Sequence, residues 1–359
     1  MLDLSTTTKD GESAANGTER LPPQLAVSVI FIHLREQSMQ QNNQESPTNP
    51  CNVCGGHHVS VLANHSRSGK PLRTVICNDC GLVWSDPLPH NPRSFYEDDY
   101  RVAYKGTYSP KPKHILRAGK VALYRRKLLG KWIDQPKKIL DVGTGGGEFA
   151  YLLQSLGHDV NGIEPNKGYA EYSKQAYGLK VQVGFIQDIQ QPDESFDLIT
   201  IWHVLEHTEN PCDVLTKLHS LLKPQGTLVV EVPTIEATCQ SPKSTFHEAH
   251  IFNFNLDTLR KLGEKVGFTE AEHNISADGA NITVFFQKNV TAAKNDKELK
   301  IPGNAERIIN IVNNHTAYKH YLTAWPYQRF FYRMSRTISE KCATTNFVNG
   351  KKLLDQLYN

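Results

Sequence analysis

Residues 139–150 read ILDVGTGGGEFA. Ile139, Leu140 and Val142 form a short apolar run around Asp141. Gly143, Gly145, Gly146 and Gly147 follow, broken only by Thr144, and helix-forming residues resume at Glu148. An apolar strand, a glycine turn and a helix start turn a row of backbone amides toward a bound ligand. The spacing narrows that ligand. A dinucleotide fingerprint, G-x-G-x-x-G, needs its third glycine where this chain has Glu148. A carboxylate there would repel a pyrophosphate, so the turn suits a ligand without phosphates. A domain binding another nucleotide is the competing reading of the same turn.

The pattern continues downstream. A helix from Glu148 to about Leu156 leads into HDVNGIEP, a second strand ending at Glu164, 19 residues beyond Gly145. An acidic residue at that distance suits a ribose diol. LKVQVGFIQDI is a third strand ending near Asp188, Phe196 to Trp202 a fourth, and GTLVVEVP a fifth after the helix and turn LTKLHSLLKPQG. Alternating strands and helices predict an α/β fold with a doubly wound, largely parallel sheet.

From about Lys138 to Lys288 the chain resembles the class I S-adenosylmethionine-dependent methyltransferases. The resemblance implies a seven-stranded, Rossmann-like sheet whose last strand, ANITVFFQK (Ala280 to Lys288), is antiparallel. It implies that Asp141 and the loop Gly143, Gly145 and Gly147 hold the methionine part of the cofactor. Glu164 would bind the ribose, and Asp188 with Ile189 would flank the adenine. These residue types agree: carboxylates attract the cofactor's ammonium, helix-start amides its carboxylate, and a bidentate acceptor its ribose diol.

Upstream, Cys51-Asn52-Val53-Cys54-Gly55 and Cys77-Asn78-Asp79-Cys80-Gly81 repeat a C-x-x-C-G unit. Two such turns offer four thiolates to one tetrahedral metal ion, a closed structural Zn2+ site without an open position for catalysis. Two disulfides or a redox pair are the rivals, although a redox motif would not need the duplicate. VSVLANHSRSGKPLRTVI between them alternates like a hairpin around Ser68-Gly69. The cysteine module followed by GLVWSDPLP and FYEDDY resembles an arrangement in bacterial methyltransferases, many of them linked to sugar or polysaccharide biosynthesis.

Two histidine clusters are candidates for chemistry at the ends of the fourth and fifth strands. In WHVLEH, His203 reads as pocket lining, and Glu206 with His207 as structural; His203 and His207 would stand one helical turn apart. In FHEAHIFNF, His247 or His250 is the candidate base, with Glu248 orienting it or binding acceptor hydroxyls. Sugar C-methyltransferases with an N-terminal zinc module carry a His-Glu-His group after the fifth strand, which is similar to this loop. Here Ala249 intervenes between Glu248 and His250. Packing and capping of the loop is the alternative for all three.

The chain falls into five stretches: 1–46 disordered, 47–90 a zinc-ribbon-like module, 91–135 a helical linker or lid, 136–289 the cofactor domain, and 290–359 a helical C-terminal extension. The N-terminal island LAVSVIFIHL is too short to span a bilayer, and Met39 just ahead of the module is an alternative start of the functional protein. Tyr96, Tyr100, Tyr104 and Tyr108 would share one helix face, as core or as an aromatic lid. In the extension, Pro326 should divide an aromatic helical stretch, and Arg329, Arg333 and Arg336 interleave with the aromatics. Packing of these helices on the domain or on a second copy, a homodimer, is weighed against a nucleic-acid or membrane surface. A net charge of +3 over 359 residues argues against nucleic acid. Apolar residues make up 39% and no run of about 18 of them occurs, so integral membrane association is not expected. Scattered Cys212, Cys239 and Cys342 together with the zinc module point to a reducing cytoplasm. The expected partner is a small-molecule acceptor, sugar-linked by the resemblance. An RNA or protein methyltransferase reading through the zinc module, and a non-catalytic cofactor-binding protein, are the alternatives.

Overall fold

The computed structural model describes residues 47–89, 110–289, 299–345 and 347–359, all within one unit, Ser46–Asn359. The N-terminal island, the Tyr96–Tyr108 face and most of the connection after Lys288 lie outside these residues.

Two sheets carry the fold. The smaller begins with a hairpin, β1 (Val59–His65) and β2 (Pro71–Cys77), closed by a turn in which Gly69 donates to the Ser66 carbonyl. β3 (Val83–Ser85) pairs antiparallel with β2. The larger sheet holds seven strands: β4 (Lys138–Val142), β5 (Asp159–Glu164), β6 (Lys180–Val183), β7 (Phe196–Trp202), β8 (Leu222–Pro233), β10 (Phe268–Ile275) and β11 (Asn281–Lys288). Their order is β10-β11-β8-β7-β4-β5-β6. Neighbours are parallel from β6 to β8, and β11 runs antiparallel to both β8 and β10. The predicted α/β architecture and its antiparallel last strand are as observed.

β4 reads KILDV because a central parallel strand is covered on both faces: Ile139, Leu140, Asp141 and Val142 are all buried. Helices cover those faces. α1 (Pro112–Leu129) precedes β4, α2 (Glu148–Ser155) and α3 (Lys167–Tyr177) flank β5, and α4 (Pro211–Leu221) precedes β8. α5 (Leu256–Lys265) lies between β9 (Phe252–Asn253) and β10. The starts are written locally. Asn166 and Asn210 accept from backbone amides three residues on, and Asn255 forms a reciprocal capping box with Thr258.

The two sheets are stitched together by the loop after β8. Its strand β9 leaves the large sheet and becomes the fourth strand of the small one, pairing Trp84 with Phe252 and Val83 with Asn253. Val53, Leu82 and Trp84 of the module then share one buried cluster with Ile251, Phe252, Phe254, Leu205 and Leu215 of the cofactor domain.

Two expectations are corrected, and one about Pro326 is met. The third strand stops at Val183 rather than near Asp188, because Gly184 turns the chain at φ 138° and residues Ile186–Asp188 form a single 3-10 turn. His203 and His207 are not on one helix. His203 sits in the left-handed region at φ 55°, and Leu205–His207 is one 3-10 turn. Pro326 divides the aromatic stretch as expected, standing in the first turn of the helix that follows the break. α6 (Asn304–Asn314) and α7 (Ala317–Tyr321) end before it, and α8 (Trp325–Ala343) starts with it in the first turn. The chain closes with α9 (Gly350–Tyr358). Among the described residues no helix is long and apolar enough to cross a membrane.

Candidate active site

β4 and β7 are neighbours whose following connections run to opposite sides of the sheet, which opens a crevice at their C-terminal ends. A cavity of about 630 Å3 fills it, within the range of small-molecule sites. Its floor is the glycine turn. Gly143 stands at φ 73°, and a Cβ there would lie 2.4 Å from Val204 Cγ2, so the turn and the loop after β7 meet only because the side chain is missing. Gly145 N donates to Glu164 Oε2 at 2.8 Å, and Asn166 N donates to Oε1 at 3.1 Å. These bonds fix the Glu164 carboxylate at the cavity wall.

Several predicted cofactor residues act from behind that wall. Asp141 is buried beneath the turn, accepting from Thr200 Oγ1 at 2.8 Å, and does not line the cavity. Burial lifts its carboxyl to about 6, against the pull of the Thr200 hydrogen bond and of Arg125. Gly147 caps α2 at φ 89° and faces Ser173 and Leu179. Because the third strand ends early, Gly184, Phe185, Ile186 and Gln187 line the cavity where Asp188 and Ile189 were expected. Asp188 is exposed and Ile189 is in the core. Glu148 lines the cavity, with its carboxylate folded over Gly146. That is where a phosphate group would have to sit.

The opposite wall is polar. His203 Nδ1 lies 3.4 Å from Glu206 Oε1, and its Nε2 lies 3.2 Å from Glu231 Oε1. Burial disfavours charge on His203, but the two carboxylates outweigh it and raise the imidazolium to about 9. Burial likewise pushes Glu206 up, and His207 and His203 more than reverse this, holding it at about 2. His250 lines the same cavity and is lowered by burial, then by His207, to about 3. His247 stacks on His250 with centroids 4.9 Å apart and does not line the cavity; burial lowers it to about 4. Thus His203 is the charged imidazole near neutral pH, and His250 and His247 are neutral.

Glu248 points elsewhere. Its Oε1 accepts from Ser66 Oγ at 2.7 Å and from Ser68 Oγ, both on the turn of the β1–β2 hairpin. Arg67 N to Phe246 O at 2.7 Å and Ser85 N to Ile251 O at 2.9 Å complete the clamp. Ala249, the residue that separates Glu248 from His250, turns its carbonyl to His207 Nδ1 at 2.6 Å. The predicted trio therefore divides: His250 faces the cavity, His247 backs it, and Glu248 ties the loop to the cysteine module.

Arg125 on α1 escaped the sequence reading. Its guanidinium lies over Trp202 at 4.6 Å and Phe149 at 5.6 Å, lines the cavity, and has a buried Nε without a hydrogen-bond partner among the described residues. One basic residue among several on α1 carries no local signal of this; the packing of α1 on α2 decides it.

The four cysteines converge. Cys51 and Cys80 Sγ are 3.4 Å apart, as are Cys54 and Cys77 Sγ, and all four lie within 4.8 Å of one another. A tetrahedral zinc ion with bonds of about 2.3 Å spaces its sulfurs by about 3.8 Å, so the set fits a single ion and not two disulfides at about 2.05 Å.

Residues 115–273 match a family model described as a methyltransferase domain. Among curated proteins, the chain is 31% identical to the ubiquinone biosynthesis O-methyltransferase of Haemophilus ducreyi over 36% of this chain and 58% of that protein. It is 24% identical to phosphoethanolamine N-methyltransferase 3 of Arabidopsis thaliana over 62% of this chain and 47% of that protein. The chain spans about half the length of the curated relatives it matches. Among solved structures, the 1,6-didemethyltoxoflavin-N1-methyltransferase of Burkholderia thailandensis, with bound 1,6-didemethyltoxoflavin and S-adenosylhomocysteine, aligns at TM-score 0.41 and 17% identity, covering 58% of this chain and 96% of that one. The sheet order and the glycine crevice give the chain a Rossmann-like methyltransferase fold, in keeping with the methyltransferase-domain model that residues 115–273 match.

Proposed function

We propose that the chain methylates a small-molecule acceptor bearing an ionisable hydroxyl, in the crevice between the turn after β4 and the loop after β8. One observation carries the reading: a single cavity joins the Gly143–Gly146 cradle to His203 and His250. When bound, S-adenosylmethionine supplies an electrophilic methyl group. The turn and Glu164 hold it at one end of the cavity. Arg125 and the charged His203 fix the acceptor at the other end, and neutral His250 takes the hydroxyl proton. Alignment in the cavity supplies most of the rate, and the base roughly 10²–10⁴-fold. The four cysteines hold a structural zinc ion that keeps the His250 loop in place.

The two curated relatives named above are an O-methyltransferase of ubiquinone biosynthesis and a phosphoethanolamine N-methyltransferase, and neither name speaks of a sugar. A sugar acceptor therefore rests on the resemblance of the cysteine module and of the His247–His250 loop. Incubation with methyl-labelled S-adenosylmethionine and two panels, sugar nucleotides and phenolic or catecholic compounds, tests the acceptor. Label should pass to one panel, and His250→Ala should lower kcat at least ~100-fold with S-adenosylhomocysteine affinity intact. A protein that binds no S-adenosylhomocysteine by calorimetry ends this reading.

A further inference from the structure

The least satisfied charge in the cavity is Glu206. It is 1% exposed, and neither carboxylate oxygen has a hydrogen bond among the described residues. The nearest nitrogens, His203 Nδ1 at 3.4 Å and His207 Nε2 at 3.7 Å from Oε1, stop short of forming one. The His203 imidazolium offsets part of the cost of this burial, but it is shared with Glu231 and makes no hydrogen bond to Glu206, so the carboxylate still has room for a second cation.

The groups around it are arranged for a cation. His207 Nδ1 lies 2.6 Å from the Ala249 carbonyl, which only accepts, so Nδ1 carries a proton and Nε2 is the ring's ligand nitrogen. A backbone carbonyl on the far nitrogen is the usual way a metal-binding histidine is oriented. The rings of His207 and His250 stand edge to face with centroids 4.9 Å apart. One ligand atom each from Glu206, His207 and His250 falls within a 4.8 Å group. Bonds of about 2.0–2.2 Å place two ligands of one ion up to about 4 Å apart, so small side-chain movements close the set. His247, stacked behind His250 and accepting from Ala249 N at 2.8 Å, stiffens that side. All three ligands line the cavity that also holds the glycine cradle.

We propose that Glu206, His207 and His250 bind one divalent first-row cation. Two imidazoles and a carboxylate favour Mn2+, Co2+ or Zn2+ over Mg2+, and leave neighbouring coordination positions open toward the cavity. Where the pocket is the methyl-transfer site argued above, those positions select acceptors with two adjacent oxygens. The bound hydroxyl becomes acidic and its proton passes to solvent. The oxygen then forms its bond to the methyl carbon as the carbon–sulfur bond breaks, releasing S-adenosylhomocysteine. His250 in that case acts as a ligand and not as the base.

Manganese binding tests the site without reference to turnover, since thiolates are poor ligands for Mn2+ and the cysteine module stays silent. Titration of the full-length protein followed by electron paramagnetic resonance should show one bound Mn2+ per chain. Glu206→Gln and His250→Gln should each weaken it at least tenfold, with S-adenosylhomocysteine binding retained as the sign of an intact fold. His207→Gln should do the same and guards against the failure of one variant to fold. No saturable Mn2+ binding, or binding indifferent to all three variants, overturns the proposal. If turnover resists chelators while His250→Ala abolishes it, His250 is the base and the cation is excluded. Cation binding with no methyl transfer to either acceptor panel would spare the metal site and sink the functional reading.

Discussion

Asp141 shows how burial at one residue sets the response of the whole domain to pH. Its carboxyl is lifted by burial from an ordinary 3.8 to about 6. The native protein therefore keeps a proton that the unfolded chain gives up between about pH 4 and 6. Stability from this group is fully present below pH 4 and is lost as pH rises through 6, a change of about 3 kcal/mol. Asp141→Asn keeps an acceptor for Thr200 and has no proton to lose. In thermal melts of the cofactor-free protein from pH 4 to 7, the wild type should lose stability relative to this variant across that window; parallel profiles would refute the assignment. At this scale the sequence was most informative where spacing dictates geometry. The glycines and Glu164 were legible because a turn that admits no side chain and an acidic strand end at a set distance leave few alternatives. Asp188 and Ile189 were displaced because Gly184 ends its strand earlier than the apolar pattern suggests. Arg125 was invisible because only the packing of α1 over Trp202 gives it a place.

Among the elements, the loop after β8 is the one whose behaviour could not be read locally. Its letters, FHEAHIFNF, offer three chemical candidates, and the structure separates them by what each side chain meets. Glu248 answers to Ser66 and Ser68, His207 to the Ala249 carbonyl, and Phe252 to Trp84. These are contacts of long sequence separation, and no periodicity announces them. The hairpin and its four cysteines were legible, since C-x-x-C-G twice around an alternating run is a geometric pattern. That the module grips the loop after β8 was not. Stripping the zinc ion proposed for the cysteines should therefore act at a distance. Hydrogen exchange at residues 246–254 should accelerate at least ~10-fold on chelation, with S-adenosylhomocysteine affinity nearly unchanged. Exchange confined to residues 51–80 would show that the loop holds itself.

For the molecule as a whole, the last helix of the C-terminal extension packs firmly on the cofactor domain. α9 lays Leu354 and Leu357 against Gly119 of α1, where an added Cβ would sit 2.7 Å from each. Tyr358 Oη donates to the Glu148 carbonyl at 2.8 Å, and Tyr151 Oη meets Asp355. Removing residues 350–359 should cost roughly 3–6 kcal/mol, a fall in Tm of about 10 °C, because it uncovers apolar surface and frees the first turn of α2. A melt within 2 °C of the intact chain would contradict this, taking about 1 kcal/mol as the threshold. α8 contributes differently. Glu340 is buried on it and pairs with Arg117, while Phe330, Phe331 and Tyr332 remain exposed. Among the described residues these aromatics do not pack on the cofactor domain, which leaves packing on a second copy, the other arm of the expectation, as a proposal.

The membership of β9 in the small sheet has a consequence for inheritance. Two residues of the methyltransferase domain complete the architecture of its neighbour, so the boundary between the two parts does not coincide with any single point in the chain. Recombination that exchanged the cysteine module alone would bring in a foreign edge for Phe252 and Asn253 to pair with. Exchange of the loop alone would leave Ser66 and Ser68 facing a stranger. A viable chimera between this chain and a relative must carry residues 47–89 and 246–254 together, a unit of descent written in two separate segments of the chain.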